Sequence, residues 1–287
     1  MKRVIYSLYI DVPKEELDVF DKNILKPNVV PTNYKTKSEF KKHYDDLIAC
    51  KQAYAMSMNV DFKMFEFDLH YVNYQKQMQA KYPYLTTYNV INFYKIHLLY
   101  ELAKVYDEIV YLDFDVVPMK YDNFFKHWDL TKGIAVLNNN DRITPIENVS
   151  DTSQTIRSPS SKHFNAQAML FEKGMSTEND VINTGIIGIN KDHLNKLAYF
   201  ENFDENLKMM TDLTKDSDIF PEKVRQYFGW DNETLFAVKL KENKVPVQWL
   251  DDKWHYFFAF QGFIPNDTIL CHVICKDFDL VWRKINA

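Results

Sequence analysis

The sequence predicts an α/β fold, a mixed but mostly parallel sheet flanked by helices, on two observations. Short apolar runs alternate with long helical patterns along most of the chain, the order expected when helices cover both faces of a parallel sheet. One such run, "EIVYL", ends in "DFD", and ligands of open α/β sheets bind beyond the carboxyl ends of the strands.

The elements follow in order. Val4–Ile10 is the first strand. Ser38–Met58 is a helix, with Phe40, Tyr44, Leu47, Ile48 and Tyr54 near helical spacing. Asp61–Phe67, "DFKMFEF", is the next strand, and Thr87–Asp107 a second long helix, apolar on much of its circumference. Glu108–Leu112 is the strand that delivers Asp113, and Gly133–Asn138 is another. Asn139–Lys162 is polar and is expected as a long functional loop. Then come a strand at Val181–Asn190, helices near Lys191–Met210 and Pro221–Phe228, and a helix from about Asp231. Two strands, near Val245–Leu250 and Thr268–Ile274, close the pattern. No repeat, linker or second boundary interrupts it, so residues 1–287 are expected to form one domain.

Composition narrows the function classes. Neither GxGxxG nor GxxxxGK[ST] occurs and glycines number six, which argues against dinucleotide dehydrogenases and P-loop enzymes. The net charge of −5 comes without a basic stripe, so phosphate-driven nucleic-acid binding is not indicated. Three cysteines in 287 residues point to a reducing cytoplasm rather than a disulfide scaffold. Cys271 and Cys275 flank His272, but structural zinc needs a second ligand pair. The first residues, interrupted by Asp11 and Pro13, suit a strand better than a signal peptide. No apolar stretch reaches the length of a membrane span.

Asp-x-Asp occurs three times, at Asp113/Asp115, Asp216/Asp218 and Asp277/Asp279. Context separates them. The first pair ends a buried strand; the second lies in a polar connection and the third in an irregular tail after the last strand. Two close carboxylates repel, and a divalent cation relieves that repulsion. Mg²⁺ is typically held by one or two carboxylates together with substrate phosphates.

"YKIHLLYELAKVYDEIVYLDFDVVP" resembles the core of GT-A nucleotide-sugar glycosyltransferases, nearest to family 8. "VINTGIIGIN" is similar to that family's Asn-x-Gly strand, "WDNETLF" to its Asp-Gln helix start, and "HVICK" to its His…Lys segment. Much of the chain also resembles glycosyltransferase-like proteins of tailed phages and large DNA viruses. The resemblance implies a sugar transferred, with retention, from a nucleoside-diphosphate sugar (UDP-sugar favoured) to a hydroxyl acceptor. That acceptor is a glycan or, as a lesser alternative, a hydroxylated nucleic-acid base.

The resemblance also implies residue roles. Asp113, Asp115 and His272 would hold Mn²⁺ or Mg²⁺, an imidazole making Mn²⁺ at least as fitting. Leu8 and Tyr9 would flank the nucleobase, and Asp113 and Phe114 would meet the donor. Lys95 and Lys276 would reach donor phosphate, and Asn183 the sugar. Asp231 and Asn232 would stand at the anomeric carbon and Trp230 on the acceptor side. Two departures stand out: Asp231-Asn232 replaces Asp-Gln, and "HVICKDFDLVW" lacks the family's glycine and Pro-Trp. Two rivals stay open. "DFDVV" with Asp251-Asp252 fits a haloacid-dehalogenase-like phosphatase with Asp113 as nucleophile, and a non-catalytic sugar-nucleotide-binding module is the other.

Overall fold

The computed structural model describes residues 1–13, 33–144, 158–215, 220–259 and 262–286. The apolar runs become strands β1 (Arg3–Leu8), β2 (Asp61–Phe65), β3 (Glu108–Leu112), β4 (Val116–Pro118), β5 (Ile134–Asn138), β6 (Ile182–Asn190), β7 (Val247–Trp249), β8 (Tyr256–Phe258) and β9 (Leu270–Val273). A six-stranded sheet has the order β2-β1-β3-β6-β5-β7, and a three-stranded sheet the order β4-β9-β8. β1 is parallel to β2 and β3, and β5 to β7, while β6 runs against β3 and β5. The large sheet is therefore mixed and mostly parallel, as expected.

Both faces of the central strands β1, β3, β6 and β5 are buried, which explains why they read as mainly apolar runs, whereas the edge strands β2 and β7 are partly exposed. Along β1, Val4, Tyr6 and Leu8 enter one core while Ile5 enters the other; along β3, Ile109 and Tyr111 alternate with Val110 and Leu112 in the same way. The second core also takes Val116 from β4 and Leu270 from β9, so the small sheet shares it.

This topology creates one edge for function. β1 to β2 runs one way and β2 to β3 crosses back over β1, so the carboxyl ends of β1 and β3 flank a reversal of strand order, where ligands gather in open sheets. Because β6 is antiparallel, its first residues, Ile182 to Gly185, arrive at that same edge.

Several expected bounds change. The Ser38–Met58 helix is two helices, Asn33–Lys42 and Tyr44–Ser57, broken at His43. His43 is held there by Trp282 Nε1, which donates to its Nδ1 at 3.1 Å. The second long helix stops at Leu102. Lys191–Met210 is two helices, Lys191–Leu197 and Phe203–Lys215, separated by Ala198 in the left-handed region at φ 45°. The "irregular tail" is a helix, Phe278–Ile285, whose N-cap is Asp277. Asp277 and Asp279 are thus a cap and an ion-pair partner of Lys42.

A helix at Leu69–Lys81 has no counterpart in the sequence reading; it buries Tyr71 and Met78, too few positions to show a period. The polar stretch is described only at its ends: a 3₁₀ turn at Asn140–Arg142, and a helix that begins at Ser158 and runs to Glu172. The rest of that stretch, with Asp216 and Asp218, lies outside the described residues. Among the described residues no helix is long and apolar enough to cross a membrane.

Candidate metal and substrate site

The site starts where β3 ends. The Asp113 amide donates to the Gly185 carbonyl at 2.7 Å, and the Val116 amide to the Asp113 carbonyl at 2.9 Å, closing a turn over Asp113-Phe114-Asp115. β4 leaves that turn and pairs with β9, with Val116 opposite His272. Strand pairing therefore carries His272 to the aspartates across 157 residues of chain. His272 Nε2 lies 3.3 Å from Asp115 Oδ1 and 4.0 Å from Asp113 Oδ2. One ligand atom from each of the three lies within 4.8 Å of the others, and this is the one such group among the described residues. Two carboxylates and an imidazole form a donor set that could hold a divalent cation.

Gly185 makes room for that imidazole: a Cβ there would sit 2.5 Å from His272 Cε1. The Asn-x-Gly pattern thus has a steric cause. Gly185→Ala is expected to push His272 off the aspartates and weaken Mn²⁺ binding about tenfold or more, the scale of disturbing a ligand's supports. Calorimetric Mn²⁺ titration checks it; unchanged affinity would separate the glycine from the ligand.

The two aspartates differ in surroundings. Asp115 is buried and pairs with Lys276 and His272. Burial works to raise its pKa, but the Lys276 ammonium and His272 outweigh it and hold it well below the usual carboxylate range. Lys276 reaches it from a left-handed backbone, φ 58°, an uncommon conformation for a residue with a side chain. Asp113 is part-exposed; it accepts from Tyr111 Oη at 2.5 Å and has Lys95 Nζ at 3.6 Å. Lys95 is 4% exposed and also donates to the Thr184 carbonyl at 3.4 Å. It is no solvated helix charge.

Behind the imidazole stands His255, absent from the sequence reading. Its Nε2 shares a hydrogen bond of 3.0 Å with His272 Nδ1, so the imidazole is fixed from the side opposite its carboxylates. Burial first, then the neighbouring His272, pushes the His255 pKa well below the usual imidazole value.

A second wall comes from the helix Asn232–Glu242. Asp231 is its N-cap: Oδ1 accepts from the amides of Glu233 and Thr234, both at 2.9 Å, and Oδ2 lies 3.8 Å from Lys162 Nζ. Lys162 also bonds Glu233, a residue that accepts from the Thr184 amide at 2.6 Å. Since Thr184 O meets Lys95, the charges Asp113, Lys95, Glu233, Lys162 and Asp231 form one connected series. Asn232 points elsewhere: it is buried, and its Nδ2 donates to Thr184 Oγ1 at 3.0 Å. Trp230 is half-covered, its Nε1 bonded to Thr211 and its ring 4.7 Å from Tyr84. Asn183 turns its Oδ1 to the Gly185 amide at 2.9 Å.

At the carboxyl ends of β1 and β2 lies a cavity of about 380 Å³ bordered by Tyr9, Tyr44, Glu66 and Phe67. Tyr9 stacks on Phe114 with centroids 4.6 Å apart, tying this cavity to the aspartate turn. Thus Tyr9, Phe114, Lys95, Asp113, Asp115, Asn183, His272 and Lys276 converge on one edge, with Leu8 in the core beneath it, while Asp231 approaches it through Lys162 and Glu233. Asp251 is spent locally, accepting from the amides of Lys253 and Trp254.

Glu233, Lys162, Thr184 and His255 are not among the site residues that the sequence points to; each joins the site through a partner distant in the chain.

No protein-family model and no curated protein matches the chain. Solved structures do align with it. A glycosyltransferase involved in glycosylating the major capsid of PBCV-1 is 12% identical over 99% of both chains, with a TM-score of 0.47. Mouse xyloside xylosyltransferase 1 is 10% identical over 96% of this chain and 98% of that one, TM-score 0.47. The galactosyltransferase LgtC with donor and acceptor sugar analogs is 11% identical over 99% and 95%, TM-score 0.41.

Proposed function

We propose that this protein is a metal-dependent glycosyltransferase that moves a sugar from a nucleoside-diphosphate sugar, a UDP-sugar in the favoured case, to a hydroxyl acceptor with retention. One observation carries it: Asp113, Asp115 and His272 converge at the ligand-binding edge of the sheet, between two lysines and beside a cavity lined by Tyr9, Tyr44 and Phe67 together with charged side chains. The four motifs in family order support it.

The roles follow from charge and position. Asp113, Asp115 and His272 would hold a Mn²⁺ or Mg²⁺ ion, which would supply Lewis-acid neutralisation of the departing diphosphate. Lys276 and Lys95 add fixed positive charge at the same edge, where negative charge grows as the anomeric C–O bond breaks. The base occupies the cavity by Tyr9 and Tyr44. The Asp231 carboxylate stabilises the oxocarbenium-like centre; Asn232, with its amide engaged by Thr184, positions that segment. The acceptor oxygen bonds to the anomeric carbon and its proton leaves with the diphosphate side. Tyr84 and Trp230 form an aromatic ledge beside Asp231 that suits the apolar face of a glycan, which favours a glycan acceptor.

A panel of nucleoside-diphosphate sugars, each with and without Mn²⁺, tests the reading by melting temperature and slow donor hydrolysis. At a hundredfold excess over Kd a ligand adds about 2.7 kcal/mol, roughly 5 °C or more for a chain of this size. Metal-dependent stabilisation by a UDP-sugar is expected. Hydrolysis of simple phosphate esters instead would favour the phosphatase reading, and binding without turnover the non-catalytic one. His272→Ala separates ligand from core: affinity for Mn²⁺ and UDP should fall together, whereas a core role would lower the melting temperature alone.

A further inference from the structure

The helix Tyr44–Ser57 carries a lysine that is 0% exposed, Lys51. Among the described residues its ammonium is bonded to carbonyls and to no carboxylate: Nζ donates to Leu47 O at 3.0 Å and to Phe114 O at 2.8 Å, and it lies 5.2 Å from the centre of the Phe114 ring. A buried ammonium without a counter-ion is costly. Burial accordingly lowers its pKa, with Asp115 and Asp113 nearby opposing. A methionine would pack the same space without that cost, so the charge needs a use.

The carbonyls of the aspartate turn show what the use is. Asp113 O is taken by the Val116 amide and Asp115 O by the Val273 amide, both at 2.9 Å. The peptide oxygen between them, Phe114 O, is met by Lys51 Nζ. The Phe114–Asp115 peptide plane is thus held by a side chain from a helix 63 residues away.

We propose that Lys51 is a positioning residue: by holding Phe114 O it fixes the Asp113-Phe114-Asp115 turn so that both carboxylates face His272 and can share one divalent ion. The role rests on the metal reading of Asp113, Asp115 and His272. It has a distinctive sign. Considered as charge alone, Lys51 repels a cation, and its removal should tighten metal binding. Considered as a pin, its removal lets the turn rotate and should loosen metal binding. Loss of a support behind metal ligands lowers affinity by about 10- to 100-fold.

Lys51→Met, with Asp113→Asn as companion, is titrated with Mn²⁺ alone and followed by calorimetry and by the electron paramagnetic resonance of free Mn²⁺. Melting curves are taken on the same samples. The expected result is Mn²⁺ affinity lowered about tenfold or more in Lys51→Met, with a melting temperature at or above wild type. Unchanged or tighter Mn²⁺ binding in Lys51→Met, while Asp113→Asn abolishes it, would overturn the positioning role and leave the metal site standing. Wild-type binding in both variants would instead remove the metal reading itself. If Lys51→Met fails to fold, Lys51→Gln provides the second measurement. It shortens the side chain so that the bond to Phe114 O is lost while a polar group remains, so Mn²⁺ affinity lowered about tenfold is again expected, and wild-type affinity would overturn the positioning role.

Discussion

Asp231→Asn should lower kcat about 100-fold or more while donor affinity and melting temperature stay near wild type. Its Oδ1 caps the Asn232–Glu242 helix through two amide bonds of 2.9 Å, and asparagine caps as well as aspartate. The substitution therefore removes charge and little else. Lys162 is not left alone, because Glu233 still bonds it. Burial works against the Lys162 charge, but Asp231 and Glu233 together hold its pKa above the usual value, and one of the two remains. What disappears is negative charge beside the proposed anomeric carbon, used chiefly in the transition state. Measured kcat and donor Kd decide it. A near-normal kcat would leave Asp231 as a cap.

Asp115→Asn should be damaging in two ways, unlike Asp113→Asn. Both remove a carboxylate from the proposed metal site and should abolish transfer. The two aspartates do not, however, share an exposed strand end. Asp115 is 6% exposed and joined to Lys276 and His272, and breaking a buried pair costs about 3–5 kcal/mol. On the order of 10 °C in melting temperature follows for a chain of this length. The pH dependence has a definite sign. The Asp115 carboxyl is depressed in the fold, so its stabilisation is fully present above the unfolded value near 4 and is lost as pH falls towards the folded one. The stability gap between wild type and Asp115→Asn should be widest above about pH 4 and shrink in more acid solution. Asp113 has a side chain 26% exposed and keeps a donor in Tyr111, so Asp113→Asn should lose activity with little change in melting temperature. Asp277→Asn should leave activity intact, since that carboxylate caps the Phe278–Ile285 helix.

What the sequence revealed follows from how local each cause is. "EIVYLDFD" was legible because burial on both faces writes an apolar run and the run stops where the edge begins. The Leu69–Lys81 helix was not, because it buries only two side chains. β4 and β8 span three residues each and owe their pairing to β9. The convergence of Asp113, Asp115 and His272 was legible through motif order, but the residues packed behind them were not. His255, Lys162, Glu233 and Lys51 act across 17 to 71 positions, and no spacing rule reaches that far. Asn232 shows the reverse error. It occupies a motif position, yet its amide serves Thr184 inside the protein.

The central claim is that Asp113, Asp115 and His272 together hold a divalent ion that a nucleoside diphosphate shares. Calorimetric titration of Mn²⁺ into the protein with saturating UDP, repeated on Asp113→Asn, tests it most directly. One Mn²⁺ per chain, bound more tightly with UDP than without and lost in Asp113→Asn, is the result predicted. Equal Mn²⁺ binding by wild type and Asp113→Asn would contradict it.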